Sequence, residues 1–211
     1  MHPNDRIWAV RGATVRATAA AVPVGYLLGS VPVAVLVGRR HRVDPRAVGD
    51  RNPGYWNIKE QLGRRAAAPV FAGDALKGAL AAGVGRALAP EGAWGVGYGA
   101  VGAAMVGHAW PAFAGFRGGR SVLTFVGGMC VLSPRAAGVA AAACAAVTAT
   151  SSFAWGARVG VFGFPVAQAL LDSPHRTAAT GALMGIIGVR FALARRTPGP
   201  ATSPTRGAPP A

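Results

Sequence analysis

Three long stretches of this chain carry no charged side chain: Ala17–Gly38, Gly92–Phe116 and Ala136–Ala157. Each is about as long as the ~20 residues a helix needs to cross a bilayer core. Shorter uncharged runs cover Ser121–Pro134, Val159–Leu171 and Thr177–Val189. Backbone in lipid must satisfy its own hydrogen bonds, so such segments fold as helices or closed barrels. The runs lack strand-like alternation. The expected fold is therefore all-α: a polytopic integral membrane bundle of about six or seven transmembrane helices.

The placement of charge supports this. The 211 residues include 22 Lys+Arg against 7 Asp+Glu, a formal charge of +15. Such an excess calls for an anionic partner. A nucleic-acid binder would carry its arginines on the polar faces of a soluble fold. Here they lie between apolar blocks, which points to membrane lipids or a phosphorylated substrate and away from nucleic acid. Many apolar positions are Ala or Gly, and Ala136–Ala149 alone would also suit a buried soluble helix. Hydropathy over the whole chain favours a multi-pass protein of the cell membrane. Cys130 and Cys144 fall in apolar runs without CxxC or zinc spacing, so both read as small buried hydrophobes. The first apolar run follows Arg6, Arg11 and Arg16, as in a signal peptide. Its length, and the further apolar runs behind it, favour an uncleaved first helix.

Expected helices are about 17–38, 66–89, 92–107, 121–134, 136–157, 159–172 and 177–193. The segment Arg39–Arg65 has loop chemistry around "GDRNPGYWN", with eight Lys/Arg and three acidic residues. The positive-inside rule places it in the cytoplasm. Asp74 and Lys77, three apart in an apolar helix, share a face. They read equally as a structural ion pair or as groups facing a substrate cavity. Gly95, Gly99, Ala103 and Gly107 form a small-residue stripe for close helix packing. Trp94 and Trp110 bracket that block as interfacial aromatics do. Residues 197–211, with five prolines in fifteen, are expected to be disordered.

Several motifs can carry chemistry. In "GHAWPAFAGFRGGRSV", Gly118 and Gly119 free the backbone to curl its N–H groups round an anion, beside the forked donors of Arg117 and Arg120. A basic turn gripping lipid headgroups would look the same. His108, before a proline, reads as a helix-end histidine bonding free carbonyls. In "GDRNPGYWN", Asn52 and Asn57 offer amides, Arg51 is a candidate phosphate ligand, and Gly49 and Gly54 permit a tight loop. In "GSVP", Ser30 beside Pro32 marks either a polar notch or a kink with a back-bonded serine.

In order, "YLLGSVPVAVLVGRR", "VGDRNPGYWN", "GDALKG" and "GHAWPAFAGFRGGRSV" resemble the bacterial acyl-phosphate:glycerol-3-phosphate acyltransferases, across Tyr26 to about Thr124. That resemblance implies one membrane-embedded domain over residues 1–196 with cytoplasmic active-site loops. It implies acyl transfer from acyl-phosphate to the 1-hydroxyl of glycerol 3-phosphate, giving lysophosphatidic acid for phospholipid synthesis. No cofactor or metal is expected. It assigns Ser30, Asn52, Asn57, Lys77 and His108 to catalysis. Arg51, Gly54, Arg117, Gly118, Gly119 and Arg120 fall to substrate binding, with the GG loop on the acceptor phosphate. On that assignment, alanine at Gly119 would raise KM for glycerol 3-phosphate more than it lowers kcat.

The chain departs from the family pattern at several positions. Asp50 and Arg51 replace Ser and Gly, Tyr55-Trp56 replace Ala-Thr, and Glu60 replaces Arg. Ser121 replaces the third glycine. Phe191 and Ala194 occupy the His and Asn positions of a C-terminal RHxxNI motif. Asp50 and Glu60 should repel a phosphorylated substrate unless Arg51 and Lys59 compensate. These departures frame a second reading, a family member that binds lipid or a partner enzyme, or acylates another phosphorylated acceptor.

Overall fold

The computed structural model describes residues 3–195, which leaves the Pro-rich tail outside. Among the described residues the chain is helical: α1 (Pro3–Gly29), α2 (Val33–Arg40), α3 (Tyr55–Leu88), α4 (Gly95–Ala109), a 3-10 turn (Ala112–Ala114), α5 (Val122–Leu132), α6 (Pro134–Thr150), α7 (Phe153–Leu171) and α8 (Pro174–Arg195). No strand occurs among the described residues, as the uncharged runs imply.

Among the described residues two stretches are long and apolar enough to cross a membrane: Ile7–Arg40, which joins α1 and α2, and Pro174–Ala194. The outward face of α7 is apolar too. Phe162, Val166 and Leu170, four residues apart, are all exposed, as suits a helix facing lipid rather than water.

The expected first helix, 17–38, differs in two ways. It begins much earlier, at Pro3, and it breaks at Ser30–Pro32. Pro32 has no N–H to give, so the ladder stops and carbonyls are released. The stretch Arg39–Arg65, expected as loop throughout, turns helical at Tyr55. Gly63, at φ 84°, then kinks α3. Gly, Asp, Asn and Pro mark the turn correctly but conceal the helix start just behind it. The expected helix over 136–157 divides at Ser151-Ser152, where the Ser152 hydroxyl accepts from Trp155 N–H and caps α7.

Close backbone approaches hold the bundle together. A Cβ on Gly25 or Gly29 of α1 would strike the carbonyls of Ala100 or Ala104 of α4. Likewise, a Cβ on Gly78 of α3 or Gly127 of α5 would strike the carbonyl of Thr124 or Ala75 across the crossing. The α4 stripe is only partly used: Gly107 packs on Tyr26 and Ser30, whereas Gly95 faces open space. Met105, Phe125, Met129, Phe164 and Leu183 fill the centre between α4, α5, α7 and α8. Cys130 and Cys144 are free thiols, and Cys130 is exposed rather than buried. It sits on the outward side of α5, where a small apolar side chain suits a lipid-facing wall as well as a core.

Candidate active site

The break after α1 is the first wall of the site. Ser30 is fully buried, and its N–H still closes the helix on the Tyr26 carbonyl at 2.9 Å. Its hydroxyl is not back-bonded; it accepts from Ala112 N–H at 3.3 Å and so joins α1 to the loop after α4. The Val31 carbonyl, freed by the break, accepts from Lys77 Nζ at 3.2 Å. The serine–proline break therefore forms a polar notch.

Helix α3 brings Asp74 and Lys77 to that notch. Both are buried, and their charges meet at 2.8 Å. A pair this deep needs further partners to offset desolvation. Lys77 has the Val31 carbonyl, and Asp74 has His108, whose Nδ1 lies 3.5 Å from Asp74 Oδ1. That separation is a polar contact, longer than a full hydrogen bond. It orients the ring nonetheless: Nδ1 faces the carboxylate, and Nε2 points toward Gly119. His108 does not bond helix-end carbonyls as its position suggests. It completes an Asp–Lys–His cluster.

The Gly118-Gly119 turn folds back on the end of α4. Gly119 N–H donates to the His108 carbonyl at 3.0 Å, and Gly118 N–H donates to the Ala109 carbonyl at 3.2 Å. Both amides are thus engaged instead of pointing into open space. A Cβ at Gly118 would strike the His108 carbonyl, and one at Gly119 would strike His108 Nε2. The glycines are required for close approach to the imidazole and its backbone.

One residue that sequence reasoning missed secures this turn from the other side. Arg190 of α8 donates through Nη2 to the Gly118 carbonyl at 2.7 Å and through Nε to the Gly119 carbonyl at 3.0 Å. Its guanidinium also lies over the Trp110 ring, 5.1 Å from the centroid. The available signal is an arginine ending the uncharged run Thr177–Val189, in a motif that Phe191 and Ala194 interrupt.

Lys77, His108, Arg117, Gly118 and Gly119 line one recess together with Gly29, Val31–Val35, Pro53, Asp74 and Pro111. Arg117 is exposed at its mouth. Ser30, fully buried, does not line it. Arg120 is turned aside: Nη1 pairs with Asp50 Oδ2 at 3.0 Å, and the guanidinium lies 4.7 Å from the Phe191 ring centroid. Asp50 is therefore matched by Arg120. Lys59 instead lies over Trp56, 4.5 Å from its centroid. Tyr55 packs edge-on against Trp56, Phe71 and Phe153, and Trp56 tilts against Phe153, which ties the start of α3 to α7.

The segment 44–57 forms a rim that reaches the recess through Pro53; Arg51, Asn52 and Gly54 do not line it. Asn57 is buried and does not line the recess; its Nδ2 donates to the carbonyls of Pro45 at 2.8 Å and Val48 at 3.1 Å. Its Oδ1 has no partner among the described residues, and Gly49 packs against it without room for a Cβ. Asn52 donates its N–H to Asp50 Oδ1 at 3.1 Å, Gly54 is the N-cap of α3, and Arg51 is exposed with φ 56°. The Arg46 guanidinium on Asp44, at 2.9 Å, holds that carboxyl below the usual carboxylate range. Among the described residues no cluster of His, Cys, Asp and Glu could hold a metal.

At this end of the helical bundle Lys77, His108 and Arg117 thus meet a glycine turn clamped by Arg190. The chain belongs to the glycerol-3-phosphate acyltransferase family, whose profile matches residues 19–196. A glycerol-3-phosphate acyltransferase from Rubrobacter xylanophilus is 46% identical over 113 residues, 54% of this chain and 56% of the relative. One from Neisseria meningitidis is 44% identical over 124 residues, 57% of this chain and 62% of the relative. The matched region thus spans little more than half the length of these curated relatives. The fold resembles the crystal structure of PlsY (YgiH), an integral membrane glycerol 3-phosphate acyltransferase, in its glycerol 3-phosphate form. The TM-score is 0.74 at 24% identity, over 83% of this chain and 88% of that one. The lysophosphatidic acid form of PlsY gives a TM-score of 0.70 at 22% identity.

Proposed function

We propose that the chain transfers an acyl group from acyl-phosphate to the 1-hydroxyl of glycerol 3-phosphate, giving lysophosphatidic acid. The observation that carries this reading is the convergence of Lys77, His108 and Arg117 with the Gly118-Gly119 turn on one recess. The acceptor phosphate sits against Arg117 at the mouth, where a guanidinium fork matches phosphate oxygens. The acceptor hydroxyl then reaches inward toward His108. The hydroxyl oxygen attacks the acyl carbonyl carbon, the bond from that carbon to the phosphate oxygen breaks, and inorganic phosphate leaves. The hydroxyl proton passes to His108 Nε2, whose ring Asp74 orients, and thence to the departing phosphate. Lys77 stabilises negative charge on the reacting oxygens. An acyl-phosphate is already activated, so positioning and charge neutralisation supply most of the remaining rate. No cofactor takes part.

The chain works as a multi-pass protein of the cell membrane, with the recess and the rim 44–57 on the cytoplasmic side, where a water-soluble acceptor reaches it. Asp50 does not block a phosphate, because Arg120 neutralises it. The test is direct. Detergent-purified protein receives palmitoyl-phosphate or palmitoyl-coenzyme A with labelled glycerol 3-phosphate. Labelled lysophosphatidic acid from palmitoyl-phosphate is the expected result. Absence of product with either donor, from folded protein, would overturn the reading.

A further inference from the structure

A second cationic groove lies beside the recess and plays no part in the chemistry above. It is lined by Val35, Arg39, Arg42, Val43, Asp44 and Arg46. Val35 also lines the recess, so the two are neighbours across one turn of α2.

Its three arginines are not equivalent. Arg46 is committed: Nε and Nη2 hold the Asp44 carboxylate at 2.9 and 3.0 Å, and Nη1 reaches the Ala114 carbonyl at 3.3 Å. It forms the floor and joins the groove to the turn before Gly118. Arg39 and Arg42 have no ion-pair or hydrogen-bond partner for their guanidinium groups among the described residues. Arg42 reaches the groove from a left-handed backbone, φ 58°, that an L-residue adopts only at a cost. Asp44, the acid in the groove, is already neutralised. The groove therefore offers two free guanidinium forks to an anion.

Its setting specifies the kind of anion. Leu36 is half exposed and lies one turn before Arg39 on the same face of α2. Ile7–Arg40 is long and apolar enough to cross the membrane, and the groove sits at its end. Apolar wall followed by paired arginines matches an amphiphile whose acyl chain lies along α2 and whose phosphate enters the groove. We infer that Arg39 and Arg42 form a lipid-phosphate site, separate from the recess that takes the soluble acceptor. Two membrane lipids present this chemistry: a single-chain acyl-phosphate waiting beside the recess, and a bulk anionic phospholipid. Only the first source rests on the proposed reaction.

The test measures binding and needs no turnover. Protein in nanodiscs of neutral phosphatidylcholine is titrated with hexadecyl phosphate, an unreactive single-chain phosphate, and separately with glycerol 3-phosphate. Arg39→Gln/Arg42→Gln is expected to weaken hexadecyl phosphate binding by on the order of tenfold or more. It should leave glycerol 3-phosphate binding unchanged, and Arg39→Lys/Arg42→Lys should recover part of the loss. Arg64→Gln/Arg65→Gln removes the same charge from exposed positions of α3 and is expected to have little effect. Competition by phosphatidylglycerol at equal concentration identifies bulk lipid as the source. Its failure, with a raised KM for palmitoyl-phosphate alone in the double glutamine variant, identifies the donor. Unaltered hexadecyl phosphate binding in that variant, or an equal loss in the Arg64/Arg65 variant, would overturn the site. Failure of acyl transfer leaves this binding result intact, so the two readings fall separately.

Discussion

Replacing Gly119 by alanine tests how closely the glycine turn and the imidazole depend on each other. The new Cβ would collide with His108 Nε2, with Cδ2 and Cε1 both at 3.2 Å. Neither side can withdraw cheaply. The ring is backed by Asp74, whose carboxylate is held by Lys77 at 2.8 Å. The turn is held by Gly119 N–H on the His108 carbonyl at 3.0 Å and by Arg190 on the Gly119 carbonyl at 3.0 Å. Overpacking a well-filled site by one methyl costs about 1–3 kcal/mol. At ~1.36 kcal/mol per tenfold, strain of that size spent on displacing the ring lowers kcat/KM by roughly 5- to 150-fold. Because His108 moves, the loss falls mainly on kcat. This reverses the expectation from the glycine motif alone, which put the loss on KM for glycerol 3-phosphate. Both constants come from the palmitoyl-phosphate assay at varied acceptor concentration, with thermal unfolding in detergent as a stability control. A variant with kcat within twofold of the parent and an unchanged Tm would refute the argument that this contact is tight.

Three further outcomes are expected. Arg190→Gln removes two charge-assisted hydrogen bonds, each worth about 1.5–3 kcal/mol; hydrogen exchange at Gly118 and Gly119 should rise and KM for glycerol 3-phosphate should increase. Arg190→Lys should recover only part, since an ammonium cannot hold both carbonyls as a fork does. Asp50→Asn releases Arg120 from a half-exposed pair, so KM for glycerol 3-phosphate should fall, though by no more than about fivefold given the modest worth of such pairs. The third concerns pH. Asp44 has its folded pKa depressed by the Arg46 hydrogen bond. Its contribution is therefore fully present above the unfolded value of ~3.9 and is lost as pH falls through the folded pKa. Exchange of the Arg46 amide, which donates to Asp44 Oδ1 at 2.9 Å, should be flat from pH 7 to 5 once corrected for intrinsic rates. It should accelerate only below about pH 4.

Much of this arrangement is legible in the chain. Uncharged runs located α4, α5 and α8 to within about three residues at each end, whereas the break between α6 and α7 falls at Ser151-Ser152, inside an uncharged run, where no charge marks it. Asp74 and Lys77 could be paired from spacing alone. Reading them as either an ion pair or cavity-facing groups was too sharp a division, since they are bonded to each other and also line the recess. What stayed hidden depends on contacts distant in sequence. Arg190 meets Gly118 and Gly119 across about seventy residues, and Asp50 meets Arg120 across seventy. Neither partner carries a local pattern that names the other. The role of Asn57 was obscured for the same reason: its amide organises the carbonyls of Pro45 and Val48, and nothing in "GYWN" shows which way it turns.

The central claim is that His108, oriented by Asp74, takes the acceptor proton in an acyl transfer from acyl-phosphate. A single-turnover experiment with excess protein, palmitoyl-phosphate and labelled glycerol 3-phosphate, run in parallel on the parent and on His108→Asn, tests it most directly. Lysophosphatidic acid is expected from the parent. The transfer rate should be roughly 10²–10⁴-fold lower in the variant, with glycerol 3-phosphate binding retained. Equal transfer rates in the two proteins would contradict the role of His108, and no product from folded parent protein would contradict the reaction itself.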